Sequence, residues 1–292
     1  MKKTGVLSVV RKLLSIIGQV SHSDILVRSM VELEGALKDQ ASYRQLLSSG
    51  RLRKSVVLSE PSWLDSSWLI FAPHPDDETL GMGGCMLLKR SAVDVIYFSD
   101  GEGLRNTANY DARLTRRKAE SKKVYEQLGT DVDPIWMSLN LKDIEKYSEN
   151  IDRVSETVES LPPSDIWFVP HFCEAPSDHR MTLDLVHHSL QNTPNNKRPR
   201  SVVLYSITST FIPNTIVDIS DVIEEKRCLN NIWESQITQL DYATIRFGLD
   251  QYNLIWGSRL PPYYTRPKKG AEIFLELEVS DFIELAKSFS IL

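Results

Sequence analysis

The chain has 292 residues, 41% of them hydrophobic and 25% charged, with a formal net charge of −5. That length and balance describe a globular chain with one large domain, and exclude a disordered or bilayer-filling one. The negative sign removes any general attraction to nucleic acid, whose binders usually carry a basic face, so none is expected as a partner.

The opening stretch, MKKTGVLSVVRKLLSIIGQVSHS, starts basic and apolar in the manner of a signal peptide. Arg11 and Lys12 interrupt its apolar run, however, and no clean small-x-small cleavage site follows. Val6, Val10, Leu13, Ile17 and Val20 recur at helical spacing, which predicts an amphipathic helix. Such a helix packs on the protein or on a second subunit. Alternatively it rests on an anionic membrane surface through Lys2, Lys3, Arg11 and Lys12, a peripheral contact made by residues 1–20. No run is long enough to span a bilayer. Residues 1–60 read as a helical N-terminal extension and residues 61–292 as the main domain. Cys85, Cys173 and Cys228 are widely spaced and form no CxxC pair, so buried or incidental thiols in a reducing, cytoplasmic setting are expected.

From residue 67 the pattern changes. SWLIFA, VDVIYFS, DPIWMSL, DIWFVPH and SVVLYSIT are apolar runs of strand length. Between them lie helical patterns: GGCMLLKR; DARLTRRKAESKKVYEQLG, with Gly129 placed to end it; NIDRVSETVESL, stopped by Pro162 and Pro163; and DHRMTLDLVHHSLQN. After residue 220 come DVIEEKRCLNNIWESQI and YATIRFGLDQYNLIWG, both read as helical, and then a last strand and helix in AEIFLELEVSDFIELAKSF. Alternating strands and helices predict an α/β fold, a Rossmann-like, mostly parallel sheet with helices on both faces. The near-continuous apolar strands agree, because both faces of such a sheet are buried.

Three polar clusters, PHPDDE, SDGEGL and PHFCEAPSDHR, each follow an apolar strand. In an open α/β sheet the binding crevice lies outside the carboxyl ends of the strands, so all three are expected at one edge. The first cluster packs His74, Asp76, Asp77 and Glu78 into five positions. His74 and Asp77 can reach one ion from a single turn. His179, in SDHR after another strand, is the best third ligand, with His171 next in line. Two imidazoles and a carboxylate make an open, zinc-type site. Asp76 is then the candidate base for a coordinated water, whose pKa a bound cation lowers from 15.7 to about 7. His22, His187 and His188 are read as surface or core residues. Gly81, Gly83 and Gly84 lack the spacing of a phosphate loop, so close packing of the helix on the strands is their expected role.

PHPDDETLGMGG followed far downstream by DHR resembles the PIG-L/LmbE-like family of zinc-dependent N-deacetylases, which act mostly on N-acetylglucosamine attached to another group. SDGEGL, RRKAE and GAEIF agree with it, and the resemblance spans roughly residues 65–280. It implies a zinc or other divalent transition-metal cofactor held by His74, Asp77 and His179, with Asp76 as general base. It implies sugar contact by Arg117, whose plainer reading is a surface ion pair with Glu120, and a pocket-lining place for Asp100. Glu78 is expected to hydrogen-bond behind the ligands and orient one of them. The partner implied is a small-molecule amino-sugar conjugate. One position departs from the pattern: where many members carry a histidine three residues before the last ligand, this chain has Pro176. His171 is the candidate to supply the missing acid or oxyanion contact, with Glu174 and Asp178 as other polar candidates. The rival readings are a non-catalytic metal-binding module on the same fold, an amidase acting on another N-acyl metabolite, and a nucleotide-binding enzyme without metal.

Overall fold

Short apolar runs become strands because each is buried along its whole length: every residue of β1 (Trp68–Ala72), β4 (Ile166–Pro170) and β5 (Ser201–Tyr205) is buried. The structure is a computed structural model and describes residues 61–89, 93–101, 109–130, 132–236, 241–257 and 268–287. The expected extension and amphipathic helix within residues 1–60 lie outside the described residues. Together with β2 (Val93–Tyr97), β3 (Ile135–Trp136), β6 (Thr215–Asp218) and β7 (Ala271–Glu278), these strands form one seven-stranded sheet in the order β3-β2-β1-β4-β5-β7-β6. β1 pairs in parallel with β2 and β4, β2 with β3, and β4 with β5; β7 runs antiparallel to both of its neighbours. The sheet is therefore mostly parallel, as expected from the sequence, with one reversed strand near an edge.

Alternate residues of each strand feed two cores. Leu69 and Phe71 of β1 join the first, which is closed by α3 (Tyr147–Ser160), α4 (Ser177–Asn192) and α8 (Val279–Lys287). Trp68, Ile70 and Ala72 join the second, under α1 (Asp77–Leu88), α2 (Tyr110–Gln127) and α5 (Ile223–Asn230). Helices thus cover both faces. Two further helices, α6 (Tyr242–Tyr252) and α7 (Leu254–Gly257), precede β7. No helix among the described residues is long and apolar enough to cross a membrane. α2 ends as its sequence predicts. Gly129 takes φ +69, its N–H donates to the Glu126 carbonyl (3.1 Å), and the Thr130 N–H donates to the Tyr125 carbonyl (3.0 Å), the paired bonds of a left-handed helix stop.

Two elements differ from expectation. β6 is four residues long and was not anticipated. α1 begins at Asp77, ahead of GGCMLLKR, and is kinked at Met82 (φ −144°, ψ 19°). The second half starts where the sequence predicted, and its exposed N–H groups find an unusual cap: Gly84 and Cys85 donate to the Glu272 carboxylate of β7 at 2.7 and 2.8 Å. α1 also lies tight on the sheet. A Cβ on Gly81 would sit 2.4 Å from the Tyr205 ring, so only glycine fits there.

Strand order positions the site. The chain steps outward from β1 to β2 to β3, then returns to place β4 on the other side of β1. At such a reversal the loops leaving β1 and β4 diverge to opposite faces and open a crevice between them.

Candidate active site

The loop leaving β1 places His74, Pro75 and Asp76, and α1 opens with Asp77 and Glu78. Asp76 has φ 130° and ψ −29°, a conformation that costs a side-chain-bearing residue about 1–3 kcal/mol. Its backbone is held on both sides. Its N–H donates to Glu78 Oε2 (3.2 Å), and its carbonyl accepts from Thr79 Oγ1 and the Leu80 N–H, both at 2.9 Å. Thr79 Oγ1 in turn accepts from Trp233 Nε1 (2.9 Å). Glu78 is fully buried and accepts from the hydroxyls of Tyr97 (2.6 Å) and Tyr125 (3.2 Å). Burial pushes its carboxyl up to about 7, against the Tyr97 hydrogen bond. Glu78 thus holds the backbone of Asp76; its bonds go to that backbone and to the two tyrosines rather than to an imidazole.

His74, Asp77 and His179 come together although the last two lie 102 positions apart in the chain (179 − 77). Each offers a ligand atom lying within 4.8 Å of the others. Asp77 Oδ2 is the hub. It accepts from the His74 N–H (3.0 Å), lies 3.0 Å from His74 Nδ1 and stands 3.5 Å from His179 Nε2. His179 arrives on the first turn of α4, which follows β4. Two more carboxylates flank the rings. Asp178 Oδ2 is 3.1 Å from His74 Nε2, and Glu174 Oε2 is 3.4 Å from His179 Nδ1. Burial works against a charged His74, but Asp178 and Asp77 outweigh it and push the ring up to about 10. Burial likewise opposes a charge on His179, and Asp77 and Glu174 outweigh it, so its pKa is also raised. Asp178 is held well below the usual carboxylate range by His74, despite partial burial. A pocket whose carboxylates favour positive charge at both imidazoles is electrostatically suited to a divalent cation, and two nitrogens with one carboxylate oxygen are a zinc-class donor set. The residues present fit such an ion.

Asp76 lies beside this cluster, 7% exposed. Burial pushes its carboxyl up to about 7, with Asp77 acting in the same sense, while Arg117 opposes both. Arg117 is buried, with Nη1 3.8 Å from Asp76 Oδ2 and its guanidinium 5.5 Å from the Trp233 ring. The plainer sequence reading of Arg117, a surface pair with Glu120, is not found. Glu120 is bound by Arg116 Nε (3.1 Å) and by the N–H and hydroxyl of Ser235 (2.9 and 2.6 Å). Asp100, at the end of β2, accepts from the hydroxyls of Tyr110 and Ser138 and so ties β2 to the start of α2 and the end of β3.

His171 is not one of the three gathered ligands. It ends β4 with its ring stacked on Phe211 (3.7 Å, 2°), and its Nδ1 accepts the Cys173 N–H (3.0 Å). Burial pushes it down to about 3, so the ring is neutral, with its proton on Nε2. Pro176, the departing position, is the N-cap of α4. Its fixed φ suits a helix entrance, and the helix it opens delivers His179. Sequence reasoning weighed Glu174 and Asp178 only as substitute acids; the fold instead sets each against one imidazole. Trp233, far along the chain, gave no sequence signal at all. A second group, Asp184, His187 and His188, has ligand atoms similarly close together on α4. There Tyr147 already donates to Asp184 (2.6 Å) and the Gln191 amide meets His187 Nε2 (2.8 Å), a local polar network on the helix flank.

Residues 69–190 match the family model described as "PIG-L: GlcNAc-PI de-N-acetylase", a span running from β1 almost to the end of α4 and containing His74, Asp76, Asp77, Arg117, Glu174 and His179 but not Trp233. The diacetylchitobiose deacetylase of Thermococcus kodakarensis is 30% identical over 190 residues, which cover 59% of this chain and 70% of that protein. Among solved structures, the N,N'-diacetylchitobiose deacetylase of Pyrococcus horikoshii, complexed with its inhibitor MPG, superimposes with a TM-score of 0.58 at 21% identity, covering 75% of this chain and 87% of that one. The 4-carboxy-2-hydroxymuconate hydratase GalB of Pseudomonas putida gives 0.58 at 16% identity, covering 72% and 95%. At these identities the structural likeness is one of fold, and a fold shared by a hydratase and deacetylases leaves function to be argued from the site.

Proposed function

The chain belongs to the PIG-L family, described as GlcNAc-PI de-N-acetylase, and on that premise we propose that it hydrolyses the N-acetyl group of an amino sugar of the N-acetylglucosamine type carried on a second group. The observation that supports this reading most is the convergence of His74, Asp77 and His179 within 4.8 Å, beside the buried Asp76, at the strand-order reversal. His74, Asp77 and His179 are the residues that would hold a zinc-class ion. Such an ion supplies Lewis acidity, lowering the pKa of coordinated water and drawing charge from an amide carbonyl.

The chain's own groups do the rest. Asp76 takes the proton of the water that attacks the acetamide carbonyl and returns it to the departing amine. Arg117, 3.8 Å away, favours the ionised form of Asp76 needed for the first of these transfers. The contacts of Glu78, Thr79 and Trp233 hold the Asp76 backbone in its strained form, so that the carboxylate is aimed before substrate arrives. Asp100 fixes the rim at β2 and β3. His171, neutral and stacked, is limited to offering the N–H on Nε2 to an oxyanion; in this geometry the proton donor for the amine is Asp76.

The test is acetate release from N-acetylglucosamine conjugates, with N,N'-diacetylchitobiose tried first because the Thermococcus relative is named for it. Acetate and free amine should appear in equal amounts and cease when a chelator removes the metal. A protein that binds zinc tightly yet yields no acetate from any conjugate would instead be a metal-binding module on this fold.

A further inference from the structure

We infer that Glu174 is the positioning residue for His179, fixing that ring's orientation and tautomer; the inference rests on the reading of His179 as a metal ligand. Glu174 lies in the loop between β4 and α4 and is fully buried. Its Oε2 accepts the Thr208 N–H (2.9 Å) and hydroxyl (2.7 Å), and Oε1 accepts the Ile207 N–H (2.8 Å) and the Ser209 N–H (3.4 Å). The remaining contact is His179 Nδ1, 3.4 Å from Oε2. Every backbone and hydroxyl partner is a donor. Only an ionised carboxylate, which accepts at both oxygens, satisfies such a set; an amide would set its own N–H groups against these donors. An acceptor-only partner also decides the His179 tautomer. Nδ1 must carry the proton toward Glu174, which leaves Nε2, 3.5 Å from Asp77 Oδ2, as the nitrogen facing the cluster.

The segment that grips Glu174 is itself fixed. Arg246 Nη1 donates to the carbonyls of Ser206 (2.8 Å) and Ile207 (3.1 Å), while its Nε binds Asp250 Oδ1 (2.9 Å). Ser206 and Ile207 are therefore held at their carbonyls by a buried arginine, and Ile207, Thr208 and Ser209 at their N–H groups by Glu174. On the Glu174 side, its own N–H donates to the His171 carbonyl (3.1 Å). The carboxylate is anchored at both ends, and its Oε2 is shared between Thr208 and His179 Nδ1. The plainer account is a loop staple, tying the β4–α4 loop to the end of β5. The two accounts part on one quantity. A staple contributes to stability alone, whereas a positioning residue also sets metal affinity in the folded protein.

The experiment measures zinc affinity of the full chain by competition with a chromophoric chelator, alongside thermal unfolding of the metal-free protein. Glu174→Gln removes the charge, and Glu174→Asp keeps it but shortens its reach. Each should bind zinc about 10–100-fold more weakly than the parent, the usual effect of losing a partner behind a ligating histidine. Val217→Ala, a truncation in the buried face of β6, should lose stability and keep its affinity. A folded Glu174 variant with the parent's affinity overturns the inference. If neither Glu174 variant folds, Thr208→Val decides: it removes one hydroxyl from the carboxylate and leaves every backbone bond, and undiminished zinc affinity there overturns it equally. Failure of the underlying site reading looks different. It would be a parent protein that binds no zinc, or a His179→Ala variant that binds it fully.

Discussion

Asp76 shows how much structure is committed to aiming one carboxylate. Its backbone sits at φ 130°, and the strain is offset by bonds from Glu78, Thr79 and Leu80. Asparagine tolerates unusual backbone angles nearly as well as aspartate and keeps the shape, but it cannot take a proton at neutral pH. Asp76→Asn should therefore retain its metal content while turnover falls by about 10²–10⁴-fold, the usual worth of a positioned base. Metal per chain and acetate release on the same preparation check both halves, and undiminished turnover removes Asp76 from the role. Arg117 gives a second prediction with a defined sign. Its guanidinium lowers the pKa of Asp76, so its loss raises that pKa. The base then stays protonated to higher pH, and in Arg117→Met the acid limb of the kcat/KM profile should move upward. An unmoved acid limb would mean that the 3.8 Å contact does not govern the base.

At the scale of elements, α1 carries the site and is held by its fit to the sheet. A Cβ at Gly81 would meet the Tyr205 ring at 2.4 Å and the Ser206 carbonyl at 3.0 Å. That ring has no room to move, since the Tyr205 hydroxyl donates to the Phe71 carbonyl of β1 (2.9 Å). Gly83 differs: a Cβ there meets its nearest atom, Lys226 Cγ, at an ordinary 3.4 Å. Gly81→Ala should cost about 1–3 kcal/mol through overpacking. Gly83→Ala should be neutral or stabilising by up to about 1 kcal/mol, because alanine loses less backbone entropy in a helix. Denaturant midpoints at constant m-value measure both, and equal effects at the two positions would refute the close-approach account. These contacts also explain what the sequence reveals. The meeting of His74 with Asp77 was legible because polar residues three apart share a turn, and that of His179 with them because DHR follows a strand. Three glycines in four positions hid the first turn of α1, and its continuation through the Met82 kink depends on Glu272, almost 190 residues further on. β6, a four-residue strand, is too short to show a period, and the reversal of β7 is a property of topology that no local pattern carries. Glu174 and Asp178 read as loose polar residues until the fold sets them against two imidazoles.

The whole molecule adds a constraint on how protons are handled near the site. His171 is buried, stacked on Phe211 and accepting from the Cys173 N–H, and its pKa is pushed down to about 3. An unfolded histidine titrates near 6.5. Between those two values the unfolded chain binds a proton that the folded one refuses, so stability falls as pH drops through this window. One such group contributes a slope of about 1.4 kcal/mol per pH unit. Asp76 and Glu78, both raised to about 7 by burial, act in the opposite sense, because there the folded protein takes up a proton before the unfolded one does. They are present in parent and variant alike and cancel in a comparison. His171→Phe keeps an aromatic ring against Phe211 and loses the bond to Cys173, a cost that is the same at each pH. Unfolding free energies of the two metal-free proteins, measured from pH 6 to 4.5, should therefore diverge: the parent loses stability faster than the variant by roughly the slope above. Parallel curves would mean that His171 carries a proton in the folded state. It could then protonate a departing amine, and the assignment of that step to Asp76 would have to be given up.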